Sequence, residues 1–242
     1  MFDLLNEVVA MKKNVGTISP KHIVLLVMMY VTIDLAGTVL GYRLVATPFG
    51  VISAATLISP IKYPLADLIA EVYGFYLARK IIILGFVCEA IFALIVNAAL
   101  LTPIPLHWQH AMAYQEVLHP LFRIVTSSAV GVLVSTLLNV YLLSKWKILL
   151  KGRYFWMRSL GSSAIGEAAL LLISVPIGFW GVLTLSQMVS AITVGYLVRM
   201  SYTFIFVWPA AMLATLLKRA ENMDVYDIGL SFNPFAKEQE EH

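Results

Sequence analysis

Lys62, Asp67 and Glu71 lie within ten residues of one another in the segment SPIKYPLADLIAEVYGFYLARK, Ser59 to Lys80, and the flanking sequence is apolar enough to sit in a bilayer. An ionisable side chain at the centre of a membrane helix costs roughly 2.5 to 3.5 kcal/mol on insertion scales, so three close together must face the protein interior and have a role there. Asp67 and Glu71 are four apart and share one helical face. Pro60 and Pro64 are also four apart; each lacks an N–H and crowds the preceding turn, which predicts a kinked or opened helix. Backbone carbonyls freed at membrane depth are tolerated where protein or a water-filled cavity satisfies them. The segment reads as one wall of a site.

Three more acids, Asp34, Glu89 and Glu167, stand in otherwise apolar runs. Counting from the basic ends of those runs at about 1.5 Å per residue puts Asp34, Lys62, Glu89 and Glu167 near one level. Two kinds of chemistry fit such a set. The residues can be helix glue, with Lys62 paired to one carboxylate and the others protonated through desolvation, or they can bind a polar solute. Glu89 has no further pattern around it. Glu167 sits in RSLGSSAIGE, where Gly161, Ser162, Ser163 and Gly166 permit close packing and leave room for a planar ligand.

The elements that must position these groups follow from composition. Of the 242 residues 60% are hydrophobic and 13% charged, and the mean hydropathy is +0.84, whereas a soluble domain carries about 25% charge. This is an all-α integral membrane protein with one domain. Six transmembrane helices are predicted, at 23–42, 49–67, 81–101, 121–143, 160–180 and 188–217, each near the length that crosses about 30 Å of hydrocarbon. The second is broken by its prolines. Residues 1–22 form an N-terminal segment, 23–217 the membrane domain and 218–242 a tail. Six crossings divide into two sets of three with opposite orientation, which allows a 3+3 inverted repeat.

Lys12, Lys13, Lys21, Arg79, Lys80, Lys145, Lys147, Lys151, Arg153, Arg158, Lys218, Arg219 and Lys237 fall on one side of this plan, and Arg43 on the other. Basic loops stay cytoplasmic, so both termini are expected inside and residues 102–120 outside. The net charge of +3 is therefore an orientation signal and does not indicate a nucleic-acid partner. Arg123 and Arg199, toward the outer ends of their helices, are expected to snorkel to the interface.

Other chemistries fit poorly. His107, His110 and His119 share the outer connection with Glu116, without the closed ligand set and supporting shell of a zinc site. None of the five histidines lies in a predicted span, so a serine nucleophile would lack a base at membrane depth. GFYLAR resembles part of a phospholipid-head-group transferase motif, but the further aspartates that chemistry needs are missing downstream. The lone Cys88 allows no intrachain disulfide.

The residues Pro60, Tyr63, Asp67, Glu71, Val72, Tyr73, Gly74, Ala78 and Arg79 resemble the hallmark segment of the queuosine precursor transporters, also called the vitamin uptake transporter family. Arg158, Ser162, Ser163 and Gly166 match a second family segment, in the same order along the chain. The resemblance implies a six-helix carrier in a bacterial inner membrane that imports 7-deazaguanine bases for tRNA modification, with no bound cofactor. The candidate substrate-binding residues are Asp34, Lys62, Tyr63, Asp67, Glu71, Ser163 and Glu167; Asp67 and Glu71, near the inner edge where water can solvate them, are expected to be needed for transport more than for folding. Tyr30, Tyr63 and Trp180 are candidates to stack on the base. Asp34 stands where family members commonly have asparagine, and Leu170 where they often have aspartate. Several assemblies fit: a carrier acting alone, a homo-oligomer, or a substrate-binding subunit with an energising ATPase partner. An intramembrane enzyme is the distant alternative.

Overall fold

A backbone in hydrocarbon must satisfy its N–H and C=O groups within its own segment, so long apolar runs fold as helices. The computed structural model describes residues 22–41, 43–47, 50–105, 108–181 and 183–226. Five helices are long and apolar enough to cross a membrane. They are α1 (Ile23–Leu40), α4 (Phe75–Leu100), α5 (Ala111–Leu149), α6 (Phe155–Phe179) and α7 (Leu185–Glu221). Their outer faces carry exposed Met28, Leu94, Phe204 and Trp208, as expected of surfaces that meet lipid. The protein is an all-α membrane protein with a small β-hairpin. Lys12, Lys13, Lys21, His107 and Lys237, and the side chains of Arg123 and His119, lie outside the described residues.

The chain between α1 and α4 differs from the predicted second helix. Residues 44–53 form an antiparallel hairpin of β1 (Leu44–Thr47) and β2 (Gly50–Ser53), with Leu44 opposite Ser53 and Thr47 opposite Gly50. Val45, Thr47, Val51 and Ile52 are β-branched, which favours strands over helix in a segment this short. The Ser53 hydroxyl donates to the Gly41 carbonyl at 2.7 Å and ties the hairpin back to the end of α1. Helix then begins at Ala55, and α2 (Ala55–Ile58) passes through a 3-10 turn (Ser59–Ile61) into α3 (Lys62–Tyr73). The break falls at Pro60, as its missing N–H predicts. Pro64 lies in the first turn of α3, where that N–H has no helical partner anyway.

Helix α3 therefore runs beyond Asp67 and ends at Gly74, whose φ of 94° and ψ of 164° belong to a region essentially confined to glycine. That residue breaks the helix and lets α4 start at Phe75, six residues before the expected Ile81. Helix α5 starts at Ala111, inside the predicted outer connection, and its 39 residues are more than a bilayer needs. Helix α6 begins at Phe155 and continues through Pro176 without a break. Helix α7 is started by a capping box between Thr184 and Gln187 and extends to Glu221, four residues into the predicted tail.

All twelve residues of α3 are buried. It packs against each of the five long helices, with Leu65, Ile69 and Val72 in the main apolar core beside Leu26, Ile82, Leu137 and Leu217. Burial on all sides explains why α3 tolerates charge: every ionised group on it has a protein partner available, whereas a lipid-facing helix would offer none.

Candidate functional site

Tyr63, Asp67 and Glu71 recur every four residues along α3 and so form one row, facing α5 and α6. Lys62 sits beside the top of that row and turns toward α1. The row sorts into levels.

At the end where the basic loops gather, the Arg158 guanidinium donates to both oxygens of Glu71, at 2.9 and 3.0 Å. Lys218 of α7 adds a third contact at 2.6 Å. Lys147 of α5 donates to the Glu71 carbonyl and to the Val225 carbonyl, each at 2.7 Å, and pairs with Asp224 at 2.6 Å. The chain after α7 is thereby drawn back over the end of α3, where the Val225 N–H donates to the Val72 carbonyl. Asp224 is pushed two ways: burial tends to raise its pKa, but hydrogen bonds from Lys147 and Lys218 outweigh this and hold it below the usual carboxylate range. A cavity of about 360 Å³ opens beside this network, reaching Glu71 and Lys218 between walls that include Phe155 and Trp156.

One turn further in, Asp67 accepts from the Ser159 hydroxyl and from the Asn139 amide, the latter at 2.6 Å, and neither donor is charged. The Ser163 hydroxyl donates to the same Asn139 at 3.3 Å. The Tyr63 hydroxyl donates to Ser135 at 3.0 Å. Gly166 makes this closeness possible, since a Cβ there would sit 3.0 Å from the Ser135 carbonyl and 3.1 Å from the Tyr63 ring.

Two ion pairs occupy the next level. Lys62 meets Asp34 of α1 at 2.5 Å, and Glu89 of α4 approaches the same group through the Thr38 hydroxyl. On the other side Arg199 of α7 donates to Glu167 Oε2 at 2.8 Å. Both members of this second pair are buried, and Glu167 Oε1 and Arg199 Nε have no hydrogen-bond partner among the described residues. The two pairs are not isolated, because Lys62 also acts electrostatically on Glu167.

The structure thus brings together Asp34, Lys62, Tyr63, Asp67, Glu71, Ser163 and Glu167 along one buried path, and changes several details. Asp67 and Glu71 are not solvated near an edge: they are 0% and 1% exposed, and protein donors satisfy them. Arg199 does not snorkel, since Glu167 on the neighbouring helix gives its charge a closer partner than the interface does. Trp180 is exposed and cannot stack over the site, whereas Tyr30 and Tyr63 are buried within it. His110 is exposed, and no group of three or more potential metal ligands occurs among the described residues. Sequence reasoning missed Ser159, Asn139 and Thr38 as partners, counted Lys147 and Lys218 only as loop charges, and gave Arg158, a loop charge and a residue of the second family segment, no partner. A polar Asn139 within an apolar run was the one available signal.

Long lipid-facing helices around a central helix whose charged row runs through the interior define a multi-pass membrane protein. The family model described as "Putative vitamin uptake transporter" matches residues 53–214. The chain belongs to that family. The match starts at the end of β2 and takes in the whole charged row of α3. No curated protein and no solved structure matches the chain.

Proposed function

We propose that this protein imports queuosine precursors, 7-deazaguanine bases or a queuine-like solute, across a bacterial inner membrane. Residues 53–214 carry the vitamin uptake family, and the observation that favours this solute is the half-satisfied pair Glu167–Arg199. A deazaguanine presents a ring N–H and an exocyclic amine side by side, beside a ring carbonyl. Each carboxylate oxygen has two lone pairs, so Glu167 can accept from that donor edge while Oε2 keeps Arg199. The free Arg199 Nε supplies a donor for the carbonyl. Asp34, Lys62, Tyr63, Asp67, Glu71 and Ser163 complete the path, with Tyr63 the ring nearest the base.

In this reading α2, the 3-10 turn and α3 together make a sixth crossing, about 28 Å long at 1.5 Å per residue. Both termini then lie inside, and the cavity beside Glu71 opens to the cytoplasm.

Binding by purified protein tests the assignment. Glu167→Gln should weaken the 2-amino base about tenfold or more, which corresponds to about 1.4 kcal/mol, and weaken an analogue lacking the 2-amino group much less. Equal losses for both ligands would show that another residue reads the base.

A further inference from the structure

Asp34 and Glu89 reach the same buried level from α1 and α4, and one cation serves them both. Lys62 commits to Asp34 at 2.5 Å. Glu89 is 3% exposed, its Oε2 has no partner among the described residues, and its Oε1 bonds only with the hydroxyl of Thr38. That same hydroxyl lies 3.1 Å from the backbone carbonyl of Asp34.

A hydroxyl carries one proton. If Glu89 were ionised, its oxygen and the Asp34 carbonyl would both be acceptors competing for that proton, and a buried carboxylate would be left with half a hydrogen bond. If Glu89 is protonated, it donates to Thr38, Thr38 donates to the Asp34 carbonyl, and every group in the chain is used once. The charge balance agrees. Lys62 with Asp34 and a neutral Glu89 sums to zero, and a neutral set is the one that hydrocarbon surroundings favour.

We propose that Glu89 holds a proton in this state and that this proton is the coupling ion of the carrier. In the inward-open state the Glu89 O–H bond breaks and the proton passes to water on the cytoplasmic side, leaving Lys62 between two carboxylates. In the outward-open state water on the other side returns a proton to Glu89. Asp34 and Glu89 then behave as a coupled pair around one lysine. Among the described residues, the charged and titratable groups facing Glu89 are Asp34 and Tyr30 from α1 and Lys62 from α3. Helix α5, the remaining neighbour of α4, carries no charged residue from Ile124 to Ser144.

The protonation does not depend on what is carried; its use in transport rests on the proposed import of a base, and two measurements keep these apart. In purified protein at neutral pH, the infrared carbonyl stretch of a protonated carboxylic acid should be present and should disappear in Glu89→Gln. Thr38→Val, which removes the oxygen that accepts from Glu89, should shift that band in a protein with an intact acid; this second variant decides the question if Glu89→Gln fails to fold. An unchanged spectrum overturns the proposal. In proteoliposomes, wild type should exchange labelled 7-deazaguanine and accumulate it when the outside is acidified, while Glu89→Gln should exchange but only equilibrate. Exchange without any response to the proton gradient would overturn coupling. A wild type that exchanges no base would overturn the substrate, while the infrared band still decides the proton.

Discussion

Replacing Glu71 with glutamine preserves shape and removes one negative charge, so its cost can be read from what that charge holds. Arg158 is fully buried and gives two hydrogen bonds to Glu71, its further hydrogen bonds among the described residues going only to backbone carbonyls while its guanidinium lies 5.7 Å from the Phe155 ring centroid. Lys218 loses its contact too but keeps Asp224 at 2.9 Å and remains partly solvated. The loss therefore concentrates on one stranded guanidinium, and breaking a buried pair from one side costs about 3 to 5 kcal/mol. Asp67→Asn four residues earlier removes no ion pair, since its donors are Ser159 and Asn139; rearranging neutral hydrogen bonds costs about 0.5 to 1.5 kcal/mol. Unfolding of detergent-solubilised protein should rank Glu71→Gln well below Asp67→Asn. Arg158→Met should restore much of the stability in the Glu71→Gln background, because it removes the stranded guanidinium while Lys218 can still donate to the glutamine oxygen. Equal stability of the two single variants, or additive losses in the double one, would refute the assignment of Glu71 to structure as well as transport.

Gly74→Ala should destabilise by about 1 to 3 kcal/mol, because its backbone angles exclude a side chain; the same unfolding assay reads it. For orientation, Arg153→Cys should be labelled by an impermeant thiol reagent only from inside and Gln115→Cys only from outside, in a Cys88→Ser background. Gly152 is unsuitable as the inner probe because its Cβ would meet the Tyr226 hydroxyl at 2.0 Å. Asp224, whose pKa is depressed, contributes stability that is complete above its ordinary value and lost as pH falls through the lower one. Hydrogen exchange at the Val225 amide, taken relative to its intrinsic rate at each pH, should therefore stay slow down to about pH 5 and quicken below about pH 4. Asp224→Asn should quicken it at neutral pH, modestly, since the side chain is 40% exposed and solvent screens its pairs.

Hydropathy and helical periodicity are local properties, and what depends on them was legible in the sequence. The five long apolar helices, the break at Pro60 and the shared face of Asp67 and Glu71 all follow from residues within a few turns of each other. The common level of Asp34, Lys62, Glu89 and Glu167 was legible too, because depth is a count along a helix. Partner choice is not local. Glu71 could have faced any of thirteen basic residues on its side, and only packing selected Arg158 and Lys218, 87 and 147 positions away. Arg199 read as an interfacial cation because its position in α7 fixes its depth but not its azimuth; the packing of α6 on α7 turned it onto Glu167. The 44–53 hairpin escaped a plan built on spans, since a window long enough to find a membrane helix averages over a short alternating strand. Sequence determined which groups lie in the membrane, and tertiary structure decided which of them neutralise each other and which oxygens were left free.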